Sequence, residues 1–464
     1  MRRTVIFSAA ALLLGTASLA SAEDLDIKKY EIQIPPEAYV SYDGAFKTVF
    51  PHGFPIGAGS GLKFEGWDKD GALVFLGIGD RGPNADSPSH EDKPGGQALP
   101  AKIFPSPDFT PQFGRIKVDD ARASLVSTTT ILAADNTPIS GRPLPEGKIG
   151  STGETALDDR LDVLPMDAEG LDPEGIDLDK KDGQLWICDE YGPFIVKLDK
   201  KTGREIKKFG PGTGLPEILA KRQPNRGFEG LAVTPGNKVY AVVQSILDIN
   251  GQVKKSAAPL VRIVELDPET GAVRQFAYPH DVEVYAKSAD AKIGDLEAID
   301  DHKFLIIEQG ADKDKKMRNI VYLIDISDAS DINGALLPNG RELEEAENRG
   351  TLEGLKIKFV KKTKLFDLAE LGWTPEKAEG LALLDDGQTM ALVSDNDFGL
   401  ALKLENPAVD DKGKKVKKPT DYTVGPDKKL RYEGRETGTT LALEPNNESS
   451  VLWLVTMPKK LAEY

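Results

Sequence analysis

Asp172-Pro173-Glu174-Gly175-Ile176, the turn Asp182-Gly183 and the apolar run Leu185-Trp186-Ile187-Cys188-Asp189 together decide the fold. An acidic residue and a glycine open a short apolar stretch. A turn follows, then a strongly apolar strand that ends on a polar residue. Two short runs joined by a turn former read as a β-hairpin.

The same text recurs along the chain, and repetition at a fixed pattern is the mark of a repeat architecture. Phe64-Glu65-Gly66 leads to Asp70-Gly71 and Leu73 to Ile78, ending at Asp80. Phe228-Glu229-Gly230 leads to Pro235-Gly236-Asn237 and Val239 to Val243, ending at Gln244. Asp295-Leu296-Glu297 leads to Phe304 and Glu308. Ala378-Glu379-Gly380 leads to Asp386-Gly387 and Met390 to Val393, then Asp395. A sixth, weaker copy runs from Thr440 through Asn446-Asn447 to Val451-Val455. More strand-like text follows each copy, as in Phe194–Leu198 and Val261–Leu266. Two hairpins per unit make a four-stranded antiparallel sheet, and about six units make an all-β, six-bladed β-propeller. The strand-like segment Ile27–Ile34 would complete the last blade. A β-sandwich is the competing architecture, and the joint repetition of register and motif favours the propeller. Short helices are expected only in loops, at Pro216–Arg222 and Pro338–Asn348.

Around this repeat the chain reads as a single domain over 23–464. Its 464 residues are 39% hydrophobic and 29% charged, with a net charge of −16. That charge argues against nucleic acid as a partner. Residues 1–22 read as a secretory signal. Arg2 and Arg3 precede a short apolar core, and Ala20-Ser21-Ala22 is a small-residue cleavage site. The expected product is a periplasmic or secreted monomer without a membrane span. The lone Cys188 excludes an intramolecular disulfide and a cysteine-based zinc site. A long loop insertion is expected at about 83–165. The lysine-rich text at 410–429 reads as a solvated hairpin.

The repeat aligns Glu65, Glu174, Glu229, Glu297 and Glu379 at the start of each unit, near the propeller axis. Asp80, Asp189, Gln244, Glu308 and Asp395 form a second column at the end of each inner hairpin, with Glu190 beside Asp189. Carboxylates at that density repel one another unless cations neutralise them. Hard oxygen donors suit Ca²⁺. The metal set is therefore Glu65, Asp80, Glu174, Asp189, Glu190, Glu229, Glu297, Glu308, Glu379 and Asp395, with Glu174, Asp189 and Glu229 in catalytic roles. The competing reading for each is a turn cap or an inter-blade bond. Arg81, Lys221, Arg222 and Arg226 lie close by in sequence and are the candidates for binding an anionic substrate. No Gly-x-Ser-x-Gly elbow occurs, and the four histidines have no metal-pair spacing. Metal-activated water is the economical mechanism.

Two stretches carry a family resemblance. Gly170–Ile176 continuing through Trp186–Phe194, and Leu215–Arg222 with Asn225–Leu231, resemble the phytase-like ("esterase-like activity of phytase") family, and Ala378–Ala382 is a late match. The resemblance implies an exported propeller related to Ca²⁺-dependent phytases. Three functions stay open: a metal-dependent phosphoester hydrolase, a Ca²⁺-dependent lactonase or carboxylesterase, and a non-catalytic propeller that binds a ligand or protein.

Overall fold

The computed structural model describes residues 25–251, 253, 260–280, 284–285 and 291–464. The expected signal segment, 1–22, lies outside them. The described chain is all-β, with one short α-helix at Arg349–Gly354 and a few 3₁₀ turns, one of them at Glu217–Lys221 as expected.

Five four-stranded antiparallel sheets carry the architecture. The first consists of Gly61–Trp67, Leu73–Ile78, Gln112–Val118 and Ala123–Thr130. The second is Pro173–Leu178, Leu185–Asp189, Phe194–Leu198 and Glu205–Pro211. The third is Phe228–Val233, Val239–Val243, Leu260–Leu266 and Val273–Pro279. The fourth is Lys292–Ala298, Lys303–Ala311, Met317–Asp325 and Lys361–Asp367. The fifth is Gly380–Leu383, Thr389–Val393, Val451–Thr456 and Asp26–Gln33. The first-written strand of each sheet is innermost. These five strands touch in cyclic order, the fifth against the first, so the arrangement is propeller-like. Glycine makes the close approach possible. A Cβ on Gly175 would meet Leu231 N at 2.7 Å, and one on Gly230 would meet Leu296 N at 2.5 Å.

The expected sixth blade is not seen among the described residues: the ring there holds five groups of four antiparallel strands, the first and fifth joined through the N-terminal strand, and the sixth repeat copy forms no group of its own. Thr440–Pro445 pairs with Leu400–Glu405 in a separate two-stranded piece, while Val451–Thr456 becomes the third strand of the fifth sheet. The N-terminal strand does complete the last one, pairing Asp26–Glu31 with Val451–Thr456. It also reaches the outer strand of the first sheet at Ile32 and Gln33.

The two insertions meet. Residues 79–111 and 394–450 both leave from the same end of the ring, between second and third strands. They combine where Ser89–Glu91 runs parallel to Tyr422–Val424 within one five-stranded sheet. The lysine-rich hairpin belongs to this cap. Asp410 Oδ1 accepts from Lys412 N and Lys414 N at its turn, and Val416 is buried beneath it. The 131–171 connection also starts and finishes at this end.

Candidate functional site

The strand registers define which residues are equivalent around the ring. Gly175 pairs with Cys188, Gly230 with Val242, Gly380 with Val393 and Gly61 with Ile78. Glu174, Glu229 and Glu379, each just before its glycine, therefore share one position. Ser60 takes it in the first sheet and Gly294 in the fourth. Across the hairpin the matching positions are Glu190, Gln244, Asp395, Asp80 and Gln309. This is the mouth layer, at the end from which the insertions emerge.

The mouth is an acidic cluster with little internal neutralisation. Oxygens of Asp172, Glu174 and Glu190 lie within 4.8 Å of one another, and all three residues are buried. Gln244 Nε2 donates to Glu190 Oε1 at 2.8 Å and to Glu229 Oε2 at 2.7 Å. Asp172 Oδ1 accepts from Arg81 N at 3.0 Å, whereas its Oδ2, in a residue 1% exposed, has no hydrogen-bond partner. Asp395 Oδ1 and Glu154 Oε2 are likewise orphaned. Three cations are seen at the rim, one of them Lys292, close enough to favour the charged forms of Glu190 and Glu229. Arg81 Nη1 lies 3.5 Å from Asp172 Oδ2 and 3.7 Å from Glu154 Oε2, with its guanidinium by the Tyr191 ring. Lys377 Nζ lies 2.9 Å from Glu379 Oε1.

Burial and mutual repulsion push these carboxyls up. Glu229 is raised to about 8 by burial and by Glu379. Asp80 is raised to about 7 by burial and by Asp172. Glu174 and Glu190 are held well above the usual carboxylate range by burial and by Glu229. Asp395 is raised by burial and by Asp397. Such a cluster takes up either protons or cations.

A second layer lies deeper in the ring and is internally satisfied. Lys63, Asp177, Ala232, Glu297 and Ala382 each stand two residues beyond the position of the inner glycine. Lys63 Nζ lies 3.0 Å from Asp177 Oδ2 and 2.6 Å from Glu297 Oε1. Asp177 also accepts from Val233 N at 2.7 Å. Asp295 accepts from Leu381 N at 2.9 Å and Leu62 N at 3.3 Å. Every sheet is thus tied across the axis.

The structure gathers some expected residues and separates others. Glu174, Glu190, Glu229, Glu379, Asp80 and Asp395 reach the mouth. Glu65 does not: it lies on the outer part of its strand, bonded to Arg115 at 2.7 Å and Lys200 at 2.7 Å. Glu297 belongs to the deeper layer. In both units the Glu-containing text was aligned where the register instead puts Ser60 and Gly294. Asp189 and Glu308 sit one residue short of the mouth position and so face away. Asp189 caps backbone, accepting from Asp172 N at 2.7 Å and Gly192 N at 2.6 Å. Glu308 pairs with Lys362 and accepts from Tyr278 Oη at 2.8 Å. The cause of the Asp189 slip is turn length. Leu178 pairs with Leu185 but Val233 with Val239, so the second sheet's hairpin is one residue longer than the third's.

Of the expected anion binders, Arg81 alone is seen bridging to the cluster. Arg222 spends its guanidinium on backbone, Nε to Tyr191 O at 2.8 Å and Nη2 to Ser151 O at 2.9 Å. Lys221 is exposed on its 3₁₀ turn, and Arg226 Nη1 donates to Ser245 Oγ at 3.5 Å. Three contributors escaped the sequence reading. Asp172 and Lys377 each stand two residues before a mouth glutamate, a signal available in the repeat. Glu154 comes from the 131–171 connection and left no signal.

The donor set fits a hard divalent cation: carboxylate oxygens only, one of them buried and unpartnered, with no thiol or imidazole among them.

Comparison with known proteins supplies the rest. The structure resembles, loosely, a putative 6-phosphogluconolactonase from Bacteroides uniformis (9% identity, 90% of this chain and 100% of that one, TM-score 0.32). It also resembles the periplasmic gluconolactonase PpgL of Pseudomonas aeruginosa (11%, 82% and 86%, TM-score 0.30). Nothing below rests on these two. An uncharacterized secreted protein of Arthroderma benhamiae is 27% identical over 181 residues, 31% of this chain. The match spans about a third of that relative's length, 35%. Among the described residues no helix is long and apolar enough to cross a membrane. The family described as "Phytase-like: Esterase-like activity of phytase" matches residues 109–398, well over half of the chain and including the second to fourth sheets whole, and the chain belongs to that family.

Proposed function

We propose that this protein is an exported, five-bladed propeller hydrolase that uses one divalent cation, Ca²⁺ by donor chemistry, to cleave an ester of a small anionic substrate, a phosphoester first. The observation that carries this reading is the buried Asp172–Glu174–Glu190 set with its orphaned Asp172 oxygen. These three would hold the cation. When bound, the cation offsets the mouth's charge, polarises the ester and makes a water more acidic. Arg81, beside Asp172, orients the anionic oxygen of the substrate. Glu229, fixed by the Gln244 amide at 2.7 Å, accepts the nucleophile's proton. The deeper Lys63 layer closes the axis below, so substrate enters from the capped end.

One observation favours a second reading. Arg222 is committed to backbone and Lys221 is exposed on its 3₁₀ turn, which leaves fewer cations seen at the cluster for a phosphate than the sequence promised. That suits a carboxylic ester or lactone.

The test is hydrolysis of p-nitrophenyl phosphate and p-nitrophenyl acetate by the mature protein, with Ca²⁺ and with chelator. Ca²⁺-dependent phosphate release that disappears in Glu174→Gln supports the first reading. Ca²⁺-dependent acetate cleavage alone supports the second. No turnover of either, with or without Ca²⁺, makes the protein a binding module.

A further inference from the structure

The repeat places two near-copies of one constellation on opposite flanks of the mouth. In the second sheet it is Asp172, Glu174 and Glu190. In the fifth it is Lys377, Glu379 and Asp395, at identical sequence offsets. The registers Gly175↔Cys188 and Gly380↔Val393 make them equivalent position by position. Both frames supply two carboxylates from adjacent strands. They differ at the third position, where one has a carboxylate and the other an ammonium.

The remaining sheets set the control. The third has Gly227, Glu229 and Gln244 at these positions, the fourth Lys292, Gly294 and Gln309, and the first Ala58, Ser60 and Asp80. None of them carries the two-carboxylate frame. Of the two sheets that do, each leaves one buried carboxylate oxygen without a hydrogen-bond partner, Asp172 Oδ2 in the second, with Arg81 Nη1 3.5 Å away, and Asp395 Oδ1 in the fifth, but only the fifth places a cation of its own at the third position, Lys377 Nζ 2.9 Å from Glu379 Oε1. Asp395 and Asp397 lie close enough to favour the charged form of that lysine.

We propose that Lys377 is a built-in cation, filling in the fifth sheet the place that a divalent cation takes in the second, so that the mouth binds one divalent cation and not two. This rests on the cation reading above. An ammonium and a hard metal ion satisfy the same carboxylates, and a tethered ammonium does so at no cost in binding entropy. Replacing the lysine with the residue at its equivalent position should rebuild the second sheet's site in the fifth.

The experiment is calorimetric titration of the metal-free, full mature protein with Ca²⁺, with near-UV circular dichroism as the check on folding. The wild type takes up one Ca²⁺, Lys377→Asp two, and the reciprocal Asp172→Lys none. If Lys377→Asp does not fold, Lys377→Asn supplies a neutral oxygen donor at the same place and is expected to show a second, weaker Ca²⁺. A folded Lys377→Asp that still binds one Ca²⁺, or a wild type that binds two, overturns the proposal and leaves the cation reading intact. A wild type that binds none overturns the cation reading itself.

Discussion

The mouth layer and the deeper layer are built from the same strands, a few residues apart, yet they treat charge in opposite ways. Below, Lys63 lies between Asp177 and Glu297, and backbone amides from neighbouring sheets use the remaining acceptors. Burial alone would push the Lys63 ammonium down, but its two carboxylates hold it well above its ordinary value. Above, acids outnumber bases and buried oxygens are left without a hydrogen-bond partner, while burial pushes carboxyls up in both layers, Glu229 to about 8 above and Glu297 to about 7 below. A satisfied buried network serves rigidity, and an unsatisfied one is tolerated where a ligand completes it. The proposed function sits at the mouth, with the architecture beneath it.

Opposite treatment predicts opposite mutational signs. The largest effect on stability is expected from Lys63→Met, which strands two buried carboxylates. It should cost roughly 3–5 kcal/mol by denaturant melts, the range for removing one partner of a buried pair. At the mouth, Glu229→Gln should stabilise the metal-free protein while impairing catalysis. A loss of stability there equal to that of Lys63→Met would erase the distinction between the layers.

Ca²⁺ should come next in size. At a hundredfold excess over its Kd it should stabilise the wild type by about 2.7 kcal/mol, and Asp172→Asn should lose most of that gain in thermal melts.

The pH dependence is shared by both layers, since burial raises Glu297 of the deeper one to about 7 as well. Glu229, at about 8, and Asp80, at about 7, are raised above their unfolded values. Their contribution is full below the unfolded carboxylate range and is lost as pH rises from that range up through 7 to 8. The metal-free protein should therefore weaken over that interval, by up to about 1.4 kcal/mol per pH unit for each group, and Ca²⁺ should flatten the curve. Asp177 in the deeper layer is depressed, chiefly by Lys63 against the opposing effect of burial. Its contribution is present above the unfolded carboxylate range and is lost only as pH falls below it.

The smallest effect should come from Lys221→Ala. The side chain is exposed, so stability should change by less than about 0.5 kcal/mol and kcat/KM should not move.

Much of this was legible in the sequence. The hairpin repeat announced the sheets, and the Glu-Gly pairs at 174, 229 and 379 marked the mouth. Glu65 and Glu297 misled because their local text matches the motif while their register does not. Strand pairing, not the letters Glu and Gly, sets which residue faces the axis, and a one-residue change reverses the face. Asp189 was placed in the second column, with Glu190 beside it, for that reason. A sixth blade was expected because the last apolar strand looks like a new beginning, though it pairs with the N-terminal strand to finish the fifth sheet. Glu154 could not be found at all, since a long connection carries it to Arg81.

The most direct test of the cation-centred mouth is an anomalous difference map from crystals grown with Ca²⁺. The account predicts a peak coordinated by Asp172, Glu174 and Glu190, and none beside Lys63. An empty mouth at saturating Ca²⁺, or a peak confined to other acidic positions, would contradict it.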